Sequence, residues 1–292
     1  MEVIKKYSYL KNGGELLSYV QGLRDSRKCV IALDIEAENN LHAYGERLCL
    51  IQVCDGTRLL LVDPLKMEDE AIRVLFESRD ILKIMYDASG DLSLLKRVHG
   101  IDIVSILDLR PAVELLGYEK KDLASLIAAE MGIILRGKVK NQKRNWLIRP
   151  IDTHAIQYAL DDVRYLLPLK DKIMTRLMEK GLMDRYILKN LQVQNKVLSE
   201  NANDKYVKIA GYSNLQPHEQ EIFRKVFDVR DDYAQMYNVP PFQVIGNRDL
   251  LGIARDLNHI NRLHFSAALG VNAIKELMSD LKATVGTSKS TN

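Results

Sequence analysis

The sequence predicts an α/β protein, a mixed sheet with flanking helices, followed by a small all-helical unit. Two observations carry this expectation. From Cys29 to Asp108 short β-rich apolar runs alternate with segments of helical spacing, the pattern of a sheet covered by helices. From Arg110 onward glycine and β-branched clusters thin out and helical spacing dominates.

In chain order, "CVIALDIE" (29–36), "RLCLIQVCD" (47–55) and "RLLLVD" (58–63) read as three strands of a meander, with a turn at Asp55-Gly56. "EDEAIRVLFESR" is a helix, "ILKIMYD" a strand, "GDLSLLKRVHG" a helix ended by Gly100, and "DIVSILD" a further strand. "DLASLIAAEMG" and "DTHAIQYALDDVRYLLPLKDKIMTRLMEKG" are helical, the second kinked or divided by Pro168. Around residues 195–217 the apolar period fades and small polar residues gather, as at a domain boundary. Two helical patterns follow, "PHEQEIFRKVFDVRDDYAQMYN" and "DLLGIARDLNHI", around a Pro240-Pro241 turn. The expected organisation is a first domain over 1–195, a linker over 196–210, a helical domain over 211–282 and a disordered tail over 283–292.

Composition narrows the function classes. A chain of 292 residues with 47% apolar and 28% charged side chains holds a real core. Cys29, Cys49 and Cys54 form no Cys-x-x-Cys pair, so they read as small buried hydrophobes in a reducing compartment rather than zinc ligands. "MEVIKKYSYLKNGG" lacks an apolar signal core, and no run reaches the roughly 18 apolar residues of a membrane span, so a cytoplasmic protein without membrane contact is expected. Net charge is only +3, but Met131 to Ile151 contains no acid and carries Arg136, Lys138, Lys140, Lys143, Arg144 and Arg149 around Trp146. That run is either a solvated face or a surface for phosphates and bases.

The acids raise a sharper question. Asp34 and Glu36 are two apart on a strand and share a face, where like charges repel unless protons or a cation lie between them. They either cap the strand in solvent or form half of a hard-metal site. Asp91, opening a helix after a strand, is an N-cap or a further ligand. Tyr158 and Asp162 are four apart and share a helix face, while Asp161 points elsewhere.

The order Asp-x-Glu, Asp, Tyr-x-x-x-Asp resembles the DEDD superfamily of 3′-to-5′ exonucleases in its tyrosine branch, and within it the ribonuclease D family. "RLCLIQV" and "DPL" follow the first motif, "KIMYDASGDLSLL" is similar to the second, and "NWLIRPIDTHAIQYALDDVRYLLPL" to the third. "VRDDYAQMYNVPPFQVIGNRDLLGIARDL" resembles an HRDC domain; members often carry two, and only one fits here. Ile35 replaces the usual Thr, Tyr86 and Asp87 stand where His and Ala are frequent, Arg144 replaces a frequent Ser, and Asp87 is an extra acid near Asp91.

The resemblance implies a ribonuclease H-like fold and two Mg²⁺ or Mn²⁺ ions held by Asp34, Glu36, Asp91 and Asp162, with Tyr158 orienting the attacking water. It implies release of nucleoside 5′-monophosphates from RNA with a free single-stranded 3′ end, in the processing of tRNA precursors or other stable RNA. Gln52, Lys138, Lys140, Lys143, Arg144, Trp146 and Arg149 are the expected nucleic-acid contacts. A DNA exonuclease of the same superfamily and a catalytically silent nucleic-acid-binding or scaffold protein are the alternatives. Oligomeric state, and whether the HRDC-like module contacts nucleic acid or protein, stay open.

Overall fold

In the computed structural model, which describes residues 6–135, 143–196 and 205–286, the chain divides into two compact units. The first comprises Met1–Ala37 and Arg47–Glu200, the second Glu38–Glu46 and Asn201–Asn292.

The first unit is built on a six-stranded mixed sheet in the order β1, β4, β3, β2, β5, β6. Its strands are β1 (Tyr7–Leu10), β2 (Val30–Asn39), β3 (Glu46–Cys54), β4 (Leu59–Val62), β5 (Leu82–Met85) and β6 (Ile106–Asp108). The predicted meander is β2, β3 and β4; Asp55 accepts the Thr57 and Arg58 N–H groups at its second turn, and Gly56 sits at φ +84°, where a side chain would be strained. β1 and the helix α1 (Gly13–Asp25) precede the first strand read from sequence. Asn12 caps α1 by accepting the Glu15 N–H, and Leu16, Tyr19, Val20 and Leu23 give it one apolar stripe.

Between the strands run α2 (Asp69–Phe76) and α3 (Ser89–His99), and beyond β6 come α4 (Arg110–Leu116) and α5 (Leu123–Met131). The long helical pattern divides into α6 (Thr153–Arg164) and α7 (Leu166–Glu179). The break falls at Tyr165, and Pro168 lies in the first turn of α7, where its missing N–H leaves no helix bond unmade. A further helix, α8 (Met183–Lys196), anchors to β6: Tyr186 Oη and Asn190 Nδ2 donate to the Asp108 carbonyl.

Strand alternation decides what the two faces hold. Ile31, Leu33 and Ile35 of β2 enter one core with α1, α2 and α3. Ala32 enters the other, with Trp146, α6 and α7, so Asp34 and Glu36 leave the strand on that second face. β2 and β5 are parallel, with Ala32 opposite Ile84; two residues further along each chain, Asp34 is level with Tyr86.

The second unit packs α9 (Pro217–Tyr237), a short α10 (Pro241–Val244), α11 (Asn247–Arg255) and α12 (Val271–Gly286) around Phe223, Phe227, Leu250 and Leu277. Residues 38–46, the tip of the β2–β3 hairpin, belong to it: Tyr44 packs on this core and donates to Asp231 at 2.7 Å. The expected disordered tail over 283–292 is corrected at its start, because α12 continues to Gly286. Leu277, Leu281 and Val285 recur at helical spacing and are buried, and the small polar residues gather only after Gly286. Residues 287–292 lie outside the described chain, as does most of the expected linker. Among the described residues no helix is long and apolar enough to cross a membrane.

Candidate active site

Asp34 and Glu36 emerge from β2 facing α6, whose residues Tyr158 and Asp162 lie one turn apart. Carboxyl oxygens of Asp34, Glu36 and Asp162 all come within 4.8 Å of one another. Together with Tyr158 they line a cleft of about 390 Å³, whose lining also includes Tyr86, Asp87, Arg110 and Asp122. Asp161 turns away, accepting from Gln157 and Arg164.

Asp91 sits in the first turn of α3. The cap position falls at Ala88, so Asp91 is not the N-cap that a sequence reading allows. Its charge reaches the cluster: burial first, then Asp162 and Asp91, raise the Asp34 and Glu36 carboxyls well above the usual carboxylate range. Asp91 is pushed up to about 8, by burial and then by Asp108 and Asp87. Asp108 in turn accepts the N–H groups of Asp87, Ala88 and Arg110 at 2.8, 3.0 and 2.9 Å. These bonds hold the bend before α3, where Asp87 adopts φ +60°, unusual for a residue with a side chain.

The donor set fits a hard divalent cation. All its groups are carboxylates, and their crowding favours protonation until positive charge enters. The Tyr158 phenol is raised by burial and then by Asp162, Glu36 and Asp34, so it stays protonated and hydrogen-bonds Asp162. Its ring stacks on Trp146 at 6.3 Å and 29°.

The expected nucleic-acid contacts divide. Gln52 is 0% exposed within β3 and Trp146 is 2% exposed beneath Tyr158, so neither reaches a nucleic acid. Arg149 is also corrected. It grips both Asp63 oxygens at 2.8 and 2.9 Å and donates to the Trp146 and Cys49 carbonyls at 2.7 and 2.6 Å. Arg144 pairs with Asp152, the N-cap of α6, and lies over the Trp146 ring. Lys143 is exposed, while Lys138 and Lys140 lie outside the described residues. The sequence reading passed over Arg110 and Asp108. Their signal was position: both lie where a strand ends, on the side of the sheet at which ligands gather in α/β folds.

A family model described as a 3′-5′ exonuclease matches residues 7–178. Ribonuclease D of Xanthomonas oryzae pv. oryzae is 30% identical over 181 residues, covering 59% of this chain and 47% of that protein. Exosome complex component 10 of Rattus norvegicus is 27% identical over 248 residues, covering 77% of this chain and 26% of that protein. The chain thus spans about half or less of the length of these relatives. Among solved structures, that of Escherichia coli RNase D, described as an exoribonuclease involved in structured RNA processing, superposes with a TM-score of 0.78 at 23% identity, over 99% of this chain and 76% of that one. The fold is therefore shared, mixed sheet and helical region together.

Proposed function

Because this chain belongs to the 3′-5′ exonuclease family, whose model spans residues 7–178, we propose that it hydrolyses RNA from a free single-stranded 3′ end and releases nucleoside 5′-monophosphates. The observation that carries the reading is the convergence of Asp34, Glu36 and Asp162 in one cleft with Tyr158 beside them. Asp34, Glu36, Asp91 and Asp162 would hold two Mg²⁺ or Mn²⁺ ions, and carboxylate oxygens are the ligands such ions take. Those ions, when bound, supply an acidified water and stabilise charge on the leaving 3′ oxygen.

The chain's own groups do the rest. β2 and α6 present the carboxylates from rigid elements, so their spacing does not depend on a loop. Tyr158, whose phenol burial and then the neighbouring carboxylates keep protonated in the metal-free cleft, is placed to aim a water by hydrogen bonding. RNA is favoured as substrate by the name of one relative, ribonuclease D, and by the description of the Escherichia coli structure as an exoribonuclease. Trimming of tRNA precursors or other stable RNA is the corresponding role, and the C-terminal helices are an HRDC-like module.

A 5′-labelled single-stranded RNA incubated with Mg²⁺ or Mn²⁺ should shorten one nucleotide at a time, and a chelator should stop it. Circular RNA should survive. Cleavage of the circle would reject the reading, and a matched DNA cut at the same rate would remove the preference for RNA.

A further inference from the structure

The lining of the cleft includes an arginine that the proposed chemistry does not use. Arg110 is the one cation among the described residues lining the cleft. Its backbone is held by Asp108, and its Nη1 donates to the Lys121 carbonyl at 2.9 Å, the same carbonyl that takes the Tyr86 hydroxyl. Two carboxylates ion-pair with it at distances longer than a hydrogen bond, Asp87 with Nη1 at 3.6 Å and Glu114 with Nε at 3.7 Å. Nε is buried without a hydrogen-bond partner. The long Nη1–Asp87 pair leaves room for a phosphate oxygen to make a shorter charge-assisted hydrogen bond in its place.

A cleft of about 390 Å³ admits little more than one nucleotide, so the second phosphate within it is that of the linkage next upstream. Resting on the reading of the cleft as an exonuclease site, we propose that Arg110 anchors the backbone phosphate one linkage upstream of the scissile one. Its planar fork matches the non-bridging oxygens, and contacts of this kind set the register of a strand rather than its sequence. Asp87 competes for the same guanidinium.

The test compares Arg110→Gln and Arg110→Lys with the parent, using a fluorescent single-stranded RNA read by anisotropy and by single-turnover cleavage. Arg110→Gln should weaken binding and raise KM about tenfold, the worth of one charged hydrogen-bonded contact, with kcat within about threefold of the parent. The salt slope of binding should fall by about 0.7, and Arg110→Lys should recover part of the loss. Asp87→Asn should tighten binding. An uncharged methylphosphonate at the next upstream linkage should weaken binding to the parent about tenfold and add nothing in Arg110→Gln, as for two partners of one contact. A methylphosphonate penalty undiminished in Arg110→Gln, or parental affinity and salt slope in that variant, overturns the proposal. Anisotropy judges Arg110 whether or not the parent cleaves; a parent that binds RNA but releases no mononucleotide overturns the exonuclease reading instead.

Discussion

Tyr158 and Lys83 are the two residues whose surroundings translate most directly into measurements. Tyr158→Phe keeps the ring on Trp146 and leaves every carboxylate in place. Metal binding should therefore survive while turnover falls about 10²-fold to 10⁴-fold at nearly constant KM, as for a lost water-positioning group. Asp162→Asn should lower both. Calorimetric metal titration with single-turnover cleavage separates them, and a Phe variant within about threefold of the parent would remove Tyr158 from the chemistry. Lys83 is fully buried on β5, its Nζ donating to the Ser78 and Val104 carbonyls at 2.5 and 3.0 Å. Burial lowers its pKa from 10.5 to about 8, against a smaller opposing pull from Asp80. The unfolded chain holds this proton at a higher pH than the folded one, so stability is lost as pH falls towards 8. Between about pH 8 and 10 the parent should gain about 2 kcal/mol relative to Lys83→Met. Urea midpoints measured across that range check it; parallel pH profiles would contradict it.

At the scale of elements, one side chain ties the segment before α6 to the sheet. Arg149 joins Asp63, at the end of β4, to carbonyls of Trp146 and Cys49, and so fixes the tryptophan on which Tyr158 rests. Arg149→Ala leaves the Asp63 carboxylate buried with the Tyr9 hydroxyl and the Leu65 N–H but no positive charge, and should cost about 3 kcal/mol in denaturant melts. The salt slope of RNA binding should stay unchanged, and a shallower slope would restore Arg149 to the phosphate-contacting set. This residue also marks what could be read in advance. Alternation along "VIALDIE" put Asp34 and Glu36 on one face, and the four-residue step put Tyr158 over Asp162, because both periods are local backbone geometry. The partner of Arg149 is 86 positions away, and a local run of positive charge says nothing about distant acids. For the same reason Trp146, set within that run, looked like a contact residue. β1 was unreadable because four residues carry too little period, whereas the i, i+4 stripe of α12 is legible up to Val285 and only the small polar run after Gly286 lacks one.

At the scale of the whole molecule, the division into units does not follow the chain. A boundary drawn near residue 200 captures the helices of the second unit and misses Glu38–Glu46. Tyr44→Phe removes the hydroxyl that reaches Asp231 and should destabilise the second unit by about 1 kcal/mol. Hydrogen exchange of amides in α9 reads this locally, and unchanged protection there would make the contact incidental. The same discontinuity bears on how such a gene can be rearranged. A recombination breakpoint anywhere between codons 47 and 200 parts the hairpin tip from the helices it helps to cover. Chimaeras that exchange only the C-terminal third should therefore carry a mismatched seam at Tyr44, and those that move the nine codons 38–46 along with it should not.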